Sequence, residues 1–215
     1  MSLLDTLRQL KLVPVIVIDD PNSAPALGRA LVEGGLPCAE VTFRTAQARE
    51  ALARLTSECP EILAGAGTVL TPGQAREALD AGAKFIVAPG FNPGVVDYCL
   101  ENDVPVFPGI ATPSEIEAAL SRDLSVLKFF PAEPLGGVSY LKAISAPYGA
   151  LEFMPTGGIS VHNVGSYLAF PKVIACGRSW MAPSEWIAAG EFGRITEEVK
   201  KAVAAVQSND GVIHT

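Results

Sequence analysis

Histidine is almost absent: the 215 residues hold two, His162 after a glycine turn and His214 near the C-terminus. Neither a Ser-His-Asp triad nor a three-histidine metal site can be built from them. Cysteine is hardly richer. Cys38, Cys59, Cys99 and Cys176 form no CxxC pair and keep no regular spacing, so no zinc site and no disulfide framework is signalled. Reduced thiols in a cytoplasmic protein are the expectation. Only 18% of residues are charged, and 16 basic against 23 acidic side chains leave a net charge of −7 with no basic stripe, which argues against a nucleic-acid partner. Long apolar runs are missing too. The run from Leu12 to Ile18 ends after seven residues at Asp19 and Asp20, too short for a membrane span, and no small-residue cleavage site follows it. Chemistry is left to lysine, carboxylates, hydroxyls and backbone amides, with no metal and no cofactor expected. An anionic substrate must be held by a few local positive groups working against the general field.

What is present is apolar residue, 49% of the chain, enough for one well-buried domain and far too much for a disordered one. The domain is taken as residues 1–215, with 207–215 as a flexible C-terminal tail. Short β-branched runs alternate with segments of helical period. Eight strands are expected, beginning near Val13, Cys38, Ile62, Phe85, Val104, Ser125, Leu151 and Val173, at a spacing of about 23 residues per unit. Thr71-Pro72-Gly73-Gln74 and Thr112-Pro113-Ser114-Glu115 each pair a threonine cap with proline at the first helical position. Gly34-Gly35 and Gly82 mark helix ends, and Ser2 to Leu10 reads as an extra short N-terminal helix. Eight unbroken units predict a (β/α)8 TIM barrel of the α/β class. A doubly wound dinucleotide fold is the weaker choice, because VPVIVIDDPNS carries none of the glycines its first turn needs.

In such a barrel, polar residues on the inner face and at the carboxyl ends of strands have first claim on function. In the second strand, period-two alternation sends Ala39, Val41 and Phe43 toward the helices and Cys38, Glu40 and Thr42 inward. Glu40 is then an interior carboxylate, with Arg44 continuing its phase to the mouth. In the sixth strand Leu127 and Phe129 face the helices, which turns Val126, Lys128 and Phe130 inward. An interior lysine is rare. An ordinary lysine is well under 1% free amine at pH 7, so a nucleophilic one needs desolvation or a cationic neighbour. A bare carboxylate beside it works the other way, so Glu40 must be partly neutralised, with Arg44 the candidate. The competing reading is a buried Lys128–Glu40 bridge without turnover.

Three glycine-bearing turns end strands: Gly65-Ala66-Gly67-Thr68, Thr156-Gly157-Gly158 and Gly177-Arg178-Ser179. The loops after the last two strands are where barrels most often hold phosphate on backbone amides. The amides of Gly157, Gly158 and Ser179, with the charge of Arg178, supply the local positive site that the acidic field demands. Trp180 and Trp186 read as packing, Pro89-Gly90 and Pro108-Gly109 as turns, and Glu197 to Lys201 as a solvated helix face. Lys84, Lys142 and Lys172 lie at turns or on helices.

GAGTVL at 65–70, KFFPAE at 128–133, PTGGIS at 155–160 and EVTFRT at 40–45 resemble the motifs of the bacterial 2-keto-3-deoxy-6-phosphogluconate (KDPG) and 4-hydroxy-2-oxoglutarate (KHG) aldolases, from about Leu10 to about Val206. The resemblance implies a lysine Schiff base at Lys128 and proton shuttling by Glu40 through a bound water. It implies that Arg44 and Thr68 hold the pyruvate carboxylate, that Pro89 and Phe130 shape the pocket, and that Gly157, Gly158 and Ser179 take the phosphate. Thr156 is similar to the gluconate-type enzymes, where it can bond a substrate hydroxyl. It also implies a homotrimer, with a phosphorylated keto acid and pyruvate as small-molecule partners. Arg178 departs from the family, which often has glycine there; the side chain either adds to the grip on phosphate or points into solvent. Three functions follow: cleavage of the phosphorylated sugar acid, the same imine acting on 4-hydroxy-2-oxoglutarate or oxaloacetate, or a barrel that binds a phosphorylated acid without turning it over.

Overall fold

The structure, a computed structural model, describes residues 2–208. Ser2 opens it with a capping box: its hydroxyl accepts the Asp5 N–H and the Asp5 carboxylate accepts the Ser2 N–H, which starts α1 (Leu3–Leu10). Strands and helices then alternate. They run β1 (Leu12–Ile16), α2 (Ala24–Glu33), β2 (Cys38–Thr42), α3 (Ala48–Glu58), β3 (Leu63–Gly67), α4 (Pro72–Asp80), β4 (Ile86–Val87), α5 (Pro93–Glu101), β5 (Val106–Phe107), β6 (Gly109–Ile110), α6 (Pro113–Leu120), β7 (Val126–Phe129), α7 (Gly137–Ser145), β8 (Glu152–Pro155), α8 (Val164–Leu168), β9 (Cys176–Arg178), α9 (Ser184–Ala188) and α10 (Phe192–Ser208). Of the tail expected over 207–215, Gln207 and Ser208 are the last residues of α10. Residues 209–215, His214 among them, lie outside the described residues. Among the described residues no helix is long and apolar enough to cross a membrane.

The helix signals act as expected. Thr71 and Thr112 are extended, and each hydroxyl accepts the N–H three residues on, at 3.2 Å from Gln74 and 3.4 Å from Glu115. Glu115 reaches back to the Thr112 N–H, completing the second capping box, whereas the Gln74 amide oxygen takes the N–H of Leu70 instead.

Every strand pairing is parallel, but the strands do not form one continuous ladder. One sheet has the order β5-β4-β3-β2-β1-β9 and a second the order β6-β7-β8. The strand expected from Val104 is split at Pro108, which has no N–H to give to a ladder. The strand expected from Val173 pairs with β8 only through isolated bridges, Phe153 with Val173 and Thr156 with Gly177. The chain is therefore an α/β fold built on parallel strands.

Alternation along the strands sorts the core into two layers. Leu12, Ile16, Ala39, Val41, Leu127 and Phe129 pack against the helices. Val13, Cys38, Phe85, Val87, Phe107, Val126, Met154 and Ala175 form a separate inner cluster, joined by Leu7 of α1. Burying Leu7 completely is worth about 1.5–3 kcal/mol, which fastens α1 over the end of the strands opposite their carboxyl termini.

Candidate active site

Glu40 and Lys128 meet inside this inner layer. Glu40 shares the phase of Cys38 on β2, Lys128 that of Val126 on β7, and they are 1% and 5% exposed. Lys128 Nζ lies 3.4 Å from Glu40 Oε1 and 5.2 Å from the centre of the Phe130 ring. Space for the carboxylate comes from Gly67, where a Cβ would stand 2.1 Å from Glu40 Oε1. A glycine ends β3 because any side chain there would displace the acid. Losing either partner strands the other charge in a buried site, a loss of about 3–5 kcal/mol.

Among the described residues no ion pair within 4 Å joins Arg44 to Glu40. Arg44 lies beyond the end of β2, and its Nε donates to Thr68 Oγ1 at 3.2 Å. Thr68 follows β3 with φ of 56°, in the left-handed region that β-branched residues avoid. The strained backbone aims its hydroxyl at the guanidinium, so Arg44 and Thr68 form one polar unit at the carboxyl ends of β2 and β3.

The glycine turns after β8 and β9 close a cavity of about 150 Å³, lined by Val15, Val17, Arg44, Phe130, Thr156, Gly157, Gly158, Ile159, Gly177, Arg178 and Ser179. Thr156 is buried and its hydroxyl has no protein partner. Gly177 admits it, since a Cβ there would come within 2.2 Å of Thr156 Oγ1. Arg178 does not reach into solvent: it is 3% exposed. Its Nη2 donates to the Ser160 carbonyl at 2.6 Å, its guanidinium lies 5.4 Å from the Trp180 ring, and its Nε has no partner. Burial draws its pKa down to about 10, still high enough to keep the cation at neutral pH. A buried cation with no carboxylate partner among the described residues, beside a hydroxyl with none there either, is a site electrostatically prepared for an anion.

Glu40, Thr68, Pro89 and Lys128 do not line this cavity; the Pro89 carbonyl is packed so closely on Gly109, the register partner of Lys128, that a Cβ there would come within 2.1 Å. A larger cavity, about 310 Å³, lies among α1, β5 and β7 and holds none of the polar candidates. Two features escaped the sequence. Asn163 pins the glycine turn, its Oδ1 accepting from Ser160 N at 2.7 Å and its Nδ2 donating to the Gly158 carbonyl at 3.2 Å; a serine three residues before an asparagine was the available signal. The Phe130–Pro131 peptide bond is cis. Among the described residues no group of three or more His, Cys, Asp or Glu is arranged to hold a metal ion. Burial pushes the Cys38 and Cys176 thiols up to about 12 and that of Cys99 to about 11, which keeps them protonated and unreactive at neutral pH.

Parallel strands, an interior lysine paired with a carboxylate, and an anion-ready glycine turn at the carboxyl ends are the arrangement that suits a lyase of the lysine-imine class on an α/β scaffold. The family model described as KDPG and KHG aldolase matches residues 3–198, and the chain belongs to that family. It is 50% identical over 195 residues to the 2-dehydro-3-deoxy-phosphogluconate aldolase of Treponema pallidum, covering 91% of this chain and 93% of that one. To the KHG/KDPG aldolase of Escherichia coli K12 it is 42% identical over 191 residues, with 89% and 90% covered. Among solved structures, the KDPG aldolase of Legionella pneumophila, with pyruvate captured as a covalent carbinolamine, superposes with a TM-score of 0.89 at 38% identity, covering 94% of this chain and 98% of that one. The Zymomonas mobilis ZM4 enzyme with 3-phosphoglycerate gives 0.87 at 35%, covering 95% and 96%.

Proposed function

We propose that this chain is a class I aldolase that cleaves 2-keto-3-deoxy-6-phosphogluconate to pyruvate and glyceraldehyde 3-phosphate, with Lys128 as the imine-forming residue. The observation that carries the reading is the Lys128–Glu40 pair, an amine and a carboxylate 3.4 Å apart and closed off from solvent. Nζ adds to the C2 carbonyl and the carbinolamine loses water. The protonated imine then draws in the electrons of the C3–C4 bond while Glu40, through a bound water, takes the proton of the C4 hydroxyl. The aldehyde leaves, Glu40 returns the proton to C3 of the enamine, and hydrolysis frees pyruvate. Binding of pyruvate by the Legionella relative and of 3-phosphoglycerate by the Zymomonas one supports the same ligand classes here.

Arg44 and Thr68 take the pyruvate carboxylate, Phe130 shapes the pocket as part of the cavity wall and Pro89 from behind Gly109 beside Lys128, Thr156 bonds a substrate hydroxyl, and Gly157, Gly158, Ser179 and Arg178 take the phosphate. The two sheets are arcs of one (β/α)8 barrel: Val106 to Ile110 bridges them on one side, and the isolated pairs Phe153–Val173 and Thr156–Gly177 on the other. The reading takes the chain as a single domain on its unbroken series of units, in a cytoplasmic setting on its unpaired cysteines, and as a homotrimer on family resemblance. The imine chemistry makes no use of phosphate, and the E. coli relative's name joins both substrates, so 4-hydroxy-2-oxoglutarate cleavage is a second activity of the same site.

Borohydride added with pyruvate is expected to leave a reduced adduct on Lys128, read by mass spectrometry of the digested protein. An adduct on another lysine, or none, removes the imine and leaves a barrel that only binds acids. Arg178→Gly is expected to raise KM for the phosphorylated substrate about tenfold, the scale of one lost charge-assisted hydrogen bond, while KM for 4-hydroxy-2-oxoglutarate stays within about twofold. Equal effects on the two substrates would take Arg178 out of the phosphate site.

A further inference from the structure

Glu133 closes the run that begins at Lys128, yet the chemistry above leaves it idle. We propose that Tyr167 is a positioning residue that holds the Glu133 carboxylate away from the glycine turn after β8, and so sustains selectivity for phosphorylated substrates; the proposal rests on the function assigned above. The two residues meet where several segments converge. The N–H of Ala132 donates to the Thr156 carbonyl at 2.8 Å and that of Glu133 to the Gly157 carbonyl at 3.0 Å, so the turn after β7 and the turn after β8 are bonded backbone to backbone. Glu133 therefore stands directly beside the loop that takes the phosphate. A free carboxylate there would oppose a phosphate dianion, in a chain whose net charge is already −7.

The side chain is turned so that it does not. A Cβ on Gly158 would meet Glu133 Cβ at 2.6 Å and Cγ at 2.9 Å, whereas one on Gly137 would meet Glu133 Oε1 at 3.0 Å and the Tyr167 hydroxyl at 3.4 Å. Methylenes thus face the glycine turn, and oxygen faces α7 and α8. Tyr167 of α8 is completely buried and donates its hydroxyl to Glu133 Oε1. Burial first, and the carboxylate second, push its pKa well above the ordinary phenol value, so it stays a donor throughout the working range. Glu133 itself is exposed. An exposed glutamate tied to a wholly buried hydroxyl gains orientation more than burial.

Tyr167→Phe keeps the ring and removes only the tether. It is expected to raise KM for 2-keto-3-deoxy-6-phosphogluconate about tenfold, the scale of one hydrogen bond to a charged group. kcat for that substrate, KM for 4-hydroxy-2-oxoglutarate, and exchange of the pyruvate methyl protons should all stay within about twofold. Adding Glu133→Gln to Tyr167→Phe removes the charge that was released and should bring KM back to within about twofold of the wild-type protein. Equal losses on both substrates, no change in KM, or no recovery in the double variant would each overturn the proposal with the aldolase reading intact. A wild-type protein that leaves the phosphorylated substrate uncleaved would overturn both.

Discussion

Lys128→Met is expected to lower kcat/KM by about 10⁴-fold or more on every keto acid the chain cleaves, and to abolish the borohydride adduct with pyruvate. The size follows from the absence of a substitute. Lys172 spends its amine on the carbonyls of Ser145 and Tyr148. Lys142 lies 5.7 Å from the Phe170 ring, and Lys84 is exposed. None of the three faces Glu40. The substitution also leaves Glu40 buried without its cation, at a stability loss of about 3–5 kcal/mol, so lost turnover must be separated from lost fold. A Lys128→Met, Glu40→Gln double variant removes the stranded charge. Its thermal midpoint should recover most of what the single variant loses, while its turnover should not. Recovery of activity along with stability would mean that the amine had served the fold and not the chemistry.

That test turns on two residues the sequence had already marked, because strand alternation is a strict physical rule wherever a strand is regular. Glu40 and Lys128 each lie within a strand, on β2 and β7, so a two-residue period sent both to the inner layer. The threonine caps were legible for a similar reason, their partners lying three residues away. The bond from Arg44 to Thr68 was not legible because β2 ends at Thr42; beyond the last paired residue the backbone turns and the pleat no longer sets direction. Pro108 was seen as a turn, but its interruption of a ladder depends on which atoms the neighbouring strands offer. Gly67 was read as a turn residue, whereas its position is fixed by the Glu40 carboxylate on the adjacent strand. The orientation of Arg178 was equally hidden, since the Ser160 carbonyl that holds it belongs to a different loop. Local rules are written in local sequence, and contacts between segments are not.

Glu40→Gln distinguishes two roles that the geometry of the pair alone leaves joined. As the group that moves protons at C3 and C4, Glu40 acts after the imine has formed. Its loss should then spare the borohydride adduct on Lys128 but slow exchange of the pyruvate methyl protons, and cleavage with it, by about 10²-fold or more. As a mere counter-ion, Glu40 would act before imine formation by fixing the position of the amine. Adduct yield and exchange would then fall together. The ratio of the two is therefore the quantity to measure, by mass spectrometry for the adduct and by deuterium loss at the methyl group for the exchange. Glutamine retains the shape that fills the space over Gly67 and an oxygen that can accept from Nζ, so repacking contributes little to either reading. An exchange rate within about threefold of the wild-type value, alongside a normal adduct, would leave the proton transfer to some other group and reduce Glu40 to the partner that keeps Lys128 in place.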